Sequence, residues 1–300
     1  MVTRRRFLAT ASLSSLSYAV GRGGDAARAA GPMQVGYAAI TWGANVSQAI
    51  DDIAAVGFRG IQLRAGDGTV TRYGANPTAL RDLLAEKHLA FAVLSSGNLS
   101  IDPAREREMI DTHTRNAKFL HDAGGRYLQV IDERPKNRAV TADDYRRVGR
   151  LLTEIGKRTA DVGVTTVYHH HMNSTGEKPA EVAAVLDAAD RKHVRLLFDI
   201  AHYQQGGGDP VAAIRKYREW IDVVHLKDVR DKPAAGAGGY EFIELGRGRV
   251  DVAGALAALA DIGFDKWAIV ELDRVVDPGR TPKQAAEINK QYLTAHGINF

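Results

Sequence analysis

The sequence predicts an α/β fold, specifically a single (β/α)8 TIM barrel. From residue 33 onward, short runs rich in β-branched residues alternate with amphipathic stretches, which is typical of a parallel sheet. Several stretches end in glycine just before the next run, as at Gly57, Gly124 and Gly263. About 270 residues follow the N-terminal segment, which is the size of one closed barrel. An open doubly wound sheet is less favoured, because no G-x-G-x-x-G follows the first run.

The predicted elements follow from two hydrophobic periodicities. Short β-branched runs predict strands at 34–39, 60–64, 90–94, 127–131, 165–169, 195–198, 223–226 and 267–271. Apolar residues at helical spacing predict helices at 47–56, 77–86, 105–123, 144–162, 179–189, 210–220, 252–262 and 282–295. Several of these helices begin with Pro beside Asp or Thr, which helix N-termini favour. The Gly/Ala-rich stretch 234–239 after the seventh strand is predicted to be a loop where a lid could sit.

The first 29 residues resemble a signal peptide. Arg4-Arg5-Arg6-Phe7-Leu8 precedes a modestly apolar run at 9–20, and Ala27-Arg28-Ala29 forms a small-x-small cleavage pattern. Paired arginines followed by Phe-Leu resemble a twin-arginine signal. We therefore expect residues 1–29 to be a twin-arginine signal peptide and residues 30–300 to be the barrel of a periplasmic or secreted protein. No later stretch reaches the roughly 20 apolar residues of a membrane span, so no transmembrane anchor is expected.

Composition and charge exclude several classes of protein. The chain of 300 residues is 45% hydrophobic and 25% charged, as in an ordinary globular protein, and contains no cysteine, so disulfides and thiol nucleophiles are excluded. The formal net charge is +4, and the first 29 residues carry the same excess, with five arginines and one aspartate. The remaining chain is therefore formally neutral. A nucleic-acid partner is not expected, because phosphate binding favours a basic surplus.

Polar residues cluster at the predicted C-terminal ends of the late strands. The fifth strand ends in three histidines, the sixth in Asp199, the seventh in a segment containing His225 and Lys227, and the eighth in Glu271. The C-terminal strand ends form the active-site face of a barrel. Imidazole and carboxylate donors together suit one divalent ion such as Zn, Mn, Co or Fe. The structural alternative is that each residue caps a helix or binds backbone.

Four segments in the C-terminal half carry a family resemblance. They are Phe198-Asp199-Ile200-Ala201-His202, Val224-His225-Leu226-Lys227-Asp228-Val229, Glu244-Leu245-Gly246-Arg247-Gly248 and the stretch 262–271. They resemble the motifs of sugar isomerase/epimerase barrels of the xylose-isomerase-like superfamily, which includes inosose dehydratases and ketose 3-epimerases. At the fifth strand, the family's usual glutamate is replaced by the sequence Tyr168-His169-His170-His171, which fits the Tyr-His-x-His of some subfamilies.

The resemblance implies roles for individual residues. The implied metal ligands are His169, Asp199, His225 and Glu271. His171 or Glu271 would move a proton, while Lys227 and His202 would contact substrate oxygens. Trp42, after the first strand, is a candidate platform for a sugar ring, with barrel packing as an equal alternative. The implied chemistry is proton abstraction next to a carbonyl, with a metal-stabilised enediolate.

Several functional alternatives remain at this point. Histidine in place of glutamate at the fifth strand disfavours a two-base ketose 3-epimerase and favours a lyase or dehydratase over an isomerase or epimerase. The resemblance extends to endonuclease IV, but the early strands lack that enzyme's additional ligands. The expected substrate is a small carbohydrate or cyclitol, such as a keto-sugar or a 3-keto-glycoside. The alternative is a non-catalytic periplasmic sugar-binding barrel that serves a partner oxidoreductase. The sequence also leaves open whether the protein forms a homodimer.

Overall fold

The computed structural model describes residues 32–232, 236 and 239–300, so the predicted signal peptide and most of the stretch 234–239 lie outside the described residues. The strands are β1 (Gln34–Ala38), β2 (Gly60–Arg64), β3 (Ala90–Leu99), β4 (Tyr127–Asp132), β5 (Thr165–His169), β6 (Val194–Asp199), β7 (Ile221–Leu226), β8 (Asp228–Asp231), β9 (Tyr240–Ile243) and β10 (Trp267–Val270). The helices are α1 (Val46–Val56), α2 (Thr69–Tyr73), α3 (Pro77–Glu86), α4 (Glu106–Asp122), α5 (Ala142–Ala160), α6 (Pro179–Ala188), α7 (Ile200–Gln205), α8 (Pro210–Lys216), α9 (Val252–Asp261) and α10 (Pro282–Ala295). None of these helices combines the length and apolar character that a membrane crossing requires.

Within the described residues, eight strands close into a parallel barrel in the order β1-β10-β7-β6-β5-β4-β3-β2. Each barrel strand pairs with the strands that flank it in this order, and helices lie between consecutive barrel strands. This confirms the predicted (β/α)8 fold. The register of β6 on β7 places Asp199 opposite His225, so two of the candidate ligands are neighbours across one strand pair.

The interior of the barrel changes from apolar to polar along the strands. One cluster of buried residues takes members from most barrel strands: Ala38, Ala92, Val93, Tyr127, Val167, Leu197, Val223 and Ile269. Side chains of a strand alternate between its two faces, so the residue two positions later faces the same way. Two positions after Val167, Leu197, Val223 and Ile269 stand His169, Asp199, His225 and Glu271. The candidate ligands therefore form the polar layer directly above the apolar layer, at the C-terminal face.

Helix boundaries follow local capping chemistry. Thr141 and Asp144 form a capping box at the start of α5, and Asp144 also accepts two hydrogen bonds from Arg138, at 2.6 and 2.7 Å. A second capping box joins Thr281 and Gln284 at α10. The helix α1 ends at Gly57, whose φ of 94° lies in the left-handed region that glycine favours.

The hairpin β8–β9 was not predicted from the sequence. Its strands, Asp228–Asp231 and Tyr240–Ile243, pair antiparallel outside the barrel, after β7. The carboxylate of Asp228 fixes the base of this hairpin by accepting hydrogen bonds from four backbone N–H groups, which belong to Val229, Gly246, Gly248 and Val250. A Cβ at Gly248 would lie 2.2 Å from Asp228 Oδ1, so this close wrapping requires glycine.

Other differences from the predicted elements are local. The predicted helix 210–220 is shorter, because α8 ends at Lys216 and residues 217–220 form a turn that leads directly into β7. The short helices α2 and α7 were not predicted. The strand β3 continues to Leu99, beyond the predicted end, through an irregularity between Ser95 and Asn98.

Candidate active site

Four side chains meet at the C-terminal face of the barrel. His169 ends β5, Asp199 ends β6, His225 lies on β7, and Glu271 directly follows β10. One possible ligand atom from each of the four lies within 4.8 Å of the others. The Nδ1 atom of His225 lies 3.4 Å from Asp199 Oδ2 and 3.6 Å from Glu271 Oε1. All four residues are buried. The structure thus brings together all four metal ligands that the sequence predicted.

Unpaired polar atoms in this cluster fit a bound cation. Asp199 Oδ2, His225 Nδ1 and His169 Nδ1 are buried and have no hydrogen-bond partner. Buried polar atoms without partners are costly, and they are rare in native proteins unless an ion or water satisfies them. Nitrogen and oxygen donors at this separation match the donor set of a divalent transition metal. The cluster is thus chemically suited to hold one such ion.

The position of Asp199 is fixed from two sides. Its Oδ1 atom caps α7 by accepting hydrogen bonds from the backbone N–H groups of Ala201 and His202, at 2.9 and 2.8 Å. Its own backbone N–H donates to His170 Nε2 at 3.2 Å. Burial raises the pKa of Asp199, but contact with the His225 ring, the charge of Lys227 and the hydrogen bond from the backbone N–H of His202 outweigh burial, so the net pKa is lowered. The carboxylate is ionised, with only Oδ2 directed into the cluster.

The three consecutive histidines have three different environments. His169 joins the four-residue cluster, and burial together with neighbouring imidazoles holds its pKa well below the usual range, so the ring is neutral as ligation requires. His170 points to the opposite face, against Phe198 and Tyr203, and burial lowers its pKa to about 4. His171 is only half-buried and faces a cavity.

His171 has one free ring nitrogen. Its Nδ1 lies 2.7 Å from the backbone carbonyl of Met172. A carbonyl oxygen can only accept, so in this contact Nδ1 carries the proton, and Nε2 of the neutral ring has the lone pair. The ring also stacks at 3.8 Å on His202, which lies on α7. His171 is therefore placed to take up a proton at Nε2.

His202 shares a second histidine group with His169 and His171, again with ligand atoms within 4.8 Å. It is buried, and burial followed by the charge of Lys227 holds its pKa well below the usual range. This group shares His169 with the four-residue cluster and contains no carboxylate to balance the charge of a cation. The four-residue cluster is consequently the better cation site.

Lys227 is a buried, charged neighbour of the cluster. Its Nζ donates to Glu271 Oε1 at 2.9 Å and to Asp273 Oδ1 at 2.5 Å. Burial lowers the pKa of Lys227, but the carboxylates of Asp273, Glu271 and Asp199 outweigh burial and raise it overall. Lys227 is thus a fixed cation and is not suited to act as a base. Burial also raises the pKa of Glu271, but the neighbouring His225 ring and the charge and hydrogen bond of Lys227 outweigh burial and lower the pKa, so Glu271 is ionised.

The hairpin covers this lysine. The ring of Phe242, on β9, lies 4.0 Å from Lys227 Nζ and 5.0 Å from the ring of His202. Tyr240 packs edge-on against Phe242 at 5.5 Å. The aromatic ring shields one side of the charged group from water, and it offers a cation–π contact.

A cavity of about 670 Å³ opens beside His171, and its walls come from the C-terminal parts of β2, β3 and β4 and from the segments that follow β4 and β5. Its lining residues include Arg64, Asn98, Glu133, Asn173 and Ser174. Such a volume is typical of a small-molecule site, and the lining offers polar groups for hydroxyls.

The contacts of two other residues, Trp42 and Tyr168, are those of packing and structural hydrogen bonding. Trp42 packs edge-on against Tyr37, donates to Asp52 Oδ2 at 2.9 Å, and lines a separate depression between α1 and α10. The structure does not bring Trp42 together with the cluster, so its role as a sugar platform stays a prediction. Tyr168 donates to the buried carboxylate of Asp132 at 2.8 Å, and the same carboxylate accepts from the backbone N–H of Thr175, which fixes the segment after β5.

Residues that the sequence did not mark also contact the cluster. Gln62 on β2 lies 2.9 Å from His225 Nε2 and donates to Glu271 Oε2 at 3.3 Å. Asp273 accepts a hydrogen bond from Lys227, and the ring of Phe242 covers the same lysine. Because side chains alternate along a strand, Gln62 could have been placed on the same inward face of the barrel as Gly60. An uncharged amide, however, gives no sequence pattern that marks it as a site residue.

Comparison with known proteins fits the geometry of the site. The family model described as "Xylose isomerase-like TIM barrel" matches residues 50–295. The chain belongs to this family. Among curated family relatives, inosose dehydratase from Lacticaseibacillus casei is 29% identical over 276 residues, covering 83% of this chain and 88% of the relative.

Solved structures share the fold. An IolI protein with a bound zinc atom superposes with a TM-score of 0.76 at 18% identity, covering 88% of this chain and 98% of that chain. The probable 3-DHS dehydratase AsbF from Bacillus anthracis gives a TM-score of 0.70 at 16% identity, covering 88% and 99%. At these identities the likeness establishes the barrel fold alone.

Proposed function

We propose that this protein is a divalent-metal-dependent enzyme that removes a proton next to a carbonyl of a keto-sugar or keto-cyclitol. One observation carries the proposal. The buried cluster of His169, Asp199, His225 and Glu271 leaves unpaired ligand atoms beside His171 and the buried cation Lys227. This combination provides a cation site, a base and an electrostatic stabiliser at the C-terminal face of the barrel.

The cluster would hold one divalent ion of the Zn, Mn, Co or Fe type through the same four residues. When bound, such an ion acts as a Lewis acid for negative charge that develops on a substrate oxygen. Three of its four ligands are anchored before binding, since Asp199 caps α7, His225 contacts Gln62, and Glu271 accepts from Gln62 and Lys227. Little reorganisation of the protein is therefore needed on metal binding.

His171 is the proposed base. His171 lines the cavity, and its Nε2 has the lone pair because Nδ1 donates to the carbonyl of Met172. In the reaction, the C–H bond next to the carbonyl breaks, its proton goes to Nε2, and the electron pair moves toward the carbonyl oxygen. Glu271 is the alternative proton carrier from the sequence. It is ionised but paired with Lys227, which makes it the weaker base.

Lys227 and His202 are the proposed contacts of the substrate oxygens. The charge of Lys227 is fixed by Glu271 and Asp273 and shielded by Phe242, so it needs no reorganisation to stabilise an oxyanion. The ring of His202 lies against that of His171. Substrate would enter from the cavity beside His171.

Elimination is the favoured outcome. A single base fits the loss of a hydroxyl or alkoxyl group β to the acidified carbon: the electron pair returns from the carbonyl oxygen to form the C=C bond, the β C–O bond breaks, and the departing oxygen takes the proton from His171 Nε2. Epimerisation, by contrast, commonly needs a proton donor on the opposite face. Similarity to inosose dehydratases supports the same choice. We also propose that residues 1–29 direct export to the periplasm or beyond, where free keto-sugars, keto-cyclitols and 3-keto-glycosides are more accessible than sugar phosphates.

The test is exchange of the α-proton in heavy water. Metal-loaded protein is incubated with an inosose and with a 3-keto-glycoside, and NMR follows deuterium incorporation and loss of substrate. We expect exchange or elimination with wild type and a loss of about 10²–10⁴-fold in the His171→Ala variant. Binding of these compounds without exchange by wild type would contradict the proposal, and it would favour a non-catalytic barrel that serves a partner oxidoreductase.

A further inference from the structure

Three buried side chains form a continuous chain of hydrogen bonds through the barrel interior to His225. Gln129 Nε2 donates to Ser95 Oγ at 3.3 Å, and Gln62 Nε2 donates to Gln129 Oε1 at 3.0 Å. The Oε1 atom of Gln62 lies 2.9 Å from His225 Nε2. Gln62 and Gln129 are 2% and 3% exposed, so water does not compete for these bonds.

Glu271 fixes which way the Gln62 amide faces. The Nε2 atom of Gln62 lies 3.3 Å from Glu271 Oε2. An ionised carboxylate can only accept, so the nitrogen end of the amide must face Glu271 and Gln129. The oxygen end must then face His225 Nε2, and an amide oxygen can only accept. His225 consequently carries its proton on Nε2 and has the lone pair on Nδ1.

That lone pair is directed at the cation cluster. His225 Nδ1 is the atom that lies 3.4 Å from Asp199 Oδ2 and 3.6 Å from Glu271 Oε1, and it has no other partner. The same amide holds Glu271 Oε2 and leaves Oε1 on the side of Lys227. One glutamine thus contacts two of the four candidate ligands and orients both.

We infer that Gln62 is a positioning residue of the metal site, which makes Nδ1 of His225 the ligating atom and orients the carboxylate of Glu271. The inference rests on the proposed function, because it requires that the cluster binds a metal. Partners that hold the second nitrogen of a ligating histidine fix its tautomer and ring orientation. Gln62 fills this role from β2, a strand that provides none of the four ligands.

The first test compares two matched variants, Gln62→Leu and Gln129→Leu. Both remove a buried amide of the same network, but only Gln62 contacts metal ligands. Chelator-treated full-length protein is titrated with Co²⁺, and binding is followed by visible absorption. We expect Gln62→Leu to bind about 10–100-fold more weakly than wild type, and Gln129→Leu to bind nearly as tightly as wild type.

The outcomes separate the inference from the proposed function. Equal weakening in both variants, or no weakening in Gln62→Leu, overturns the role of Gln62 while the metal site stands. No Co²⁺ binding by wild type overturns the metal site itself.

A second measurement uses only wild type, in case the leucine variant fails to fold. In ¹⁵N-labelled protein loaded with Zn²⁺, the nitrogen shifts of His225 should show a protonated Nε2 and a metal-bound Nδ1. A proton on Nδ1, or metal on Nε2, overturns the inference.

Discussion

Replacing Lys227 by methionine tests whether this lysine is a fixed structural and electrostatic cation. Methionine matches the length of the side chain but removes the charge between two carboxylates, at 2.9 Å from Glu271 and 2.5 Å from Asp273. The side chain of Lys227 is fully buried, and that of Glu271 is 7% exposed. The substitution would therefore leave the Glu271 carboxylate buried without its cation.

Removing one partner of a buried ion pair costs about 3–5 kcal/mol. We expect a loss near 3 kcal/mol in the free energy of unfolding of metal-free protein, at the lower end of that range, because Asp273 is 35% exposed and is partly stabilised by water. The raised pKa of Lys227 means that its contribution is complete below about pH 10, the unfolded value, and is lost as pH rises through the folded pKa. A measurement at pH 7 therefore records the full effect.

Urea unfolding of chelator-treated protein measures this loss. The matched control is Asp273→Asn, which keeps Lys227 and its bond to Glu271 and removes only the half-exposed partner. We expect that control to lose at most about 1 kcal/mol. A loss below 1 kcal/mol for Lys227→Met, or equal losses for the two variants, would refute the view that Lys227 neutralises the buried Glu271.

Three further predictions concern other parts of the structure. Asp144→Ala should lower the free energy of unfolding by about 1–3 kcal/mol, because the variant loses the ion pair with Arg138 and a capping hydrogen bond. Since Arg138 is the main cause of the lowered pKa of Asp144, urea unfolding should show the stability difference between wild type and variant shrinking as pH falls below about 4. A stability difference independent of pH would count against this prediction. Gly248→Ala should destabilise the hairpin base by about 1–3 kcal/mol in thermal unfolding, because its Cβ would meet Asp228; an unchanged Tm would contradict this. Phe242→Ala should slow α-proton exchange without loss of metal, and unchanged exchange would exclude a role for the ring over the lysine.

The barrel and the convergence of the four candidate ligands could be predicted because both depend on local pattern. Strand alternation places His169, Asp199, His225 and Glu271 two residues beyond apolar inward positions, so their convergence follows once the barrel closes. The same alternation correctly separated His170 from its two neighbours.

Features set by tertiary contacts were not predictable. The strands of the hairpin are four residues each and carry charged residues, so no periodicity distinguishes them from a loop. Gln62 depends on a contact across 163 residues of sequence, and its amide gives no motif. Trp42 follows a strand end as a ligand-binding residue would, yet its contacts with Tyr37 and Asp52 are those of packing.

The metal content of the purified protein tests the central claim most directly. Elemental mass spectrometry would be applied to three proteins that begin near Ala30: wild type, His169→Ala and His193→Ala. The last variant is the control, because His193 precedes β6 at the opposite end of the barrel from the candidate site. We expect one divalent ion per chain in wild type and in the control, and its loss in His169→Ala. No metal in wild type after reconstitution, or full occupancy in His169→Ala, would contradict it.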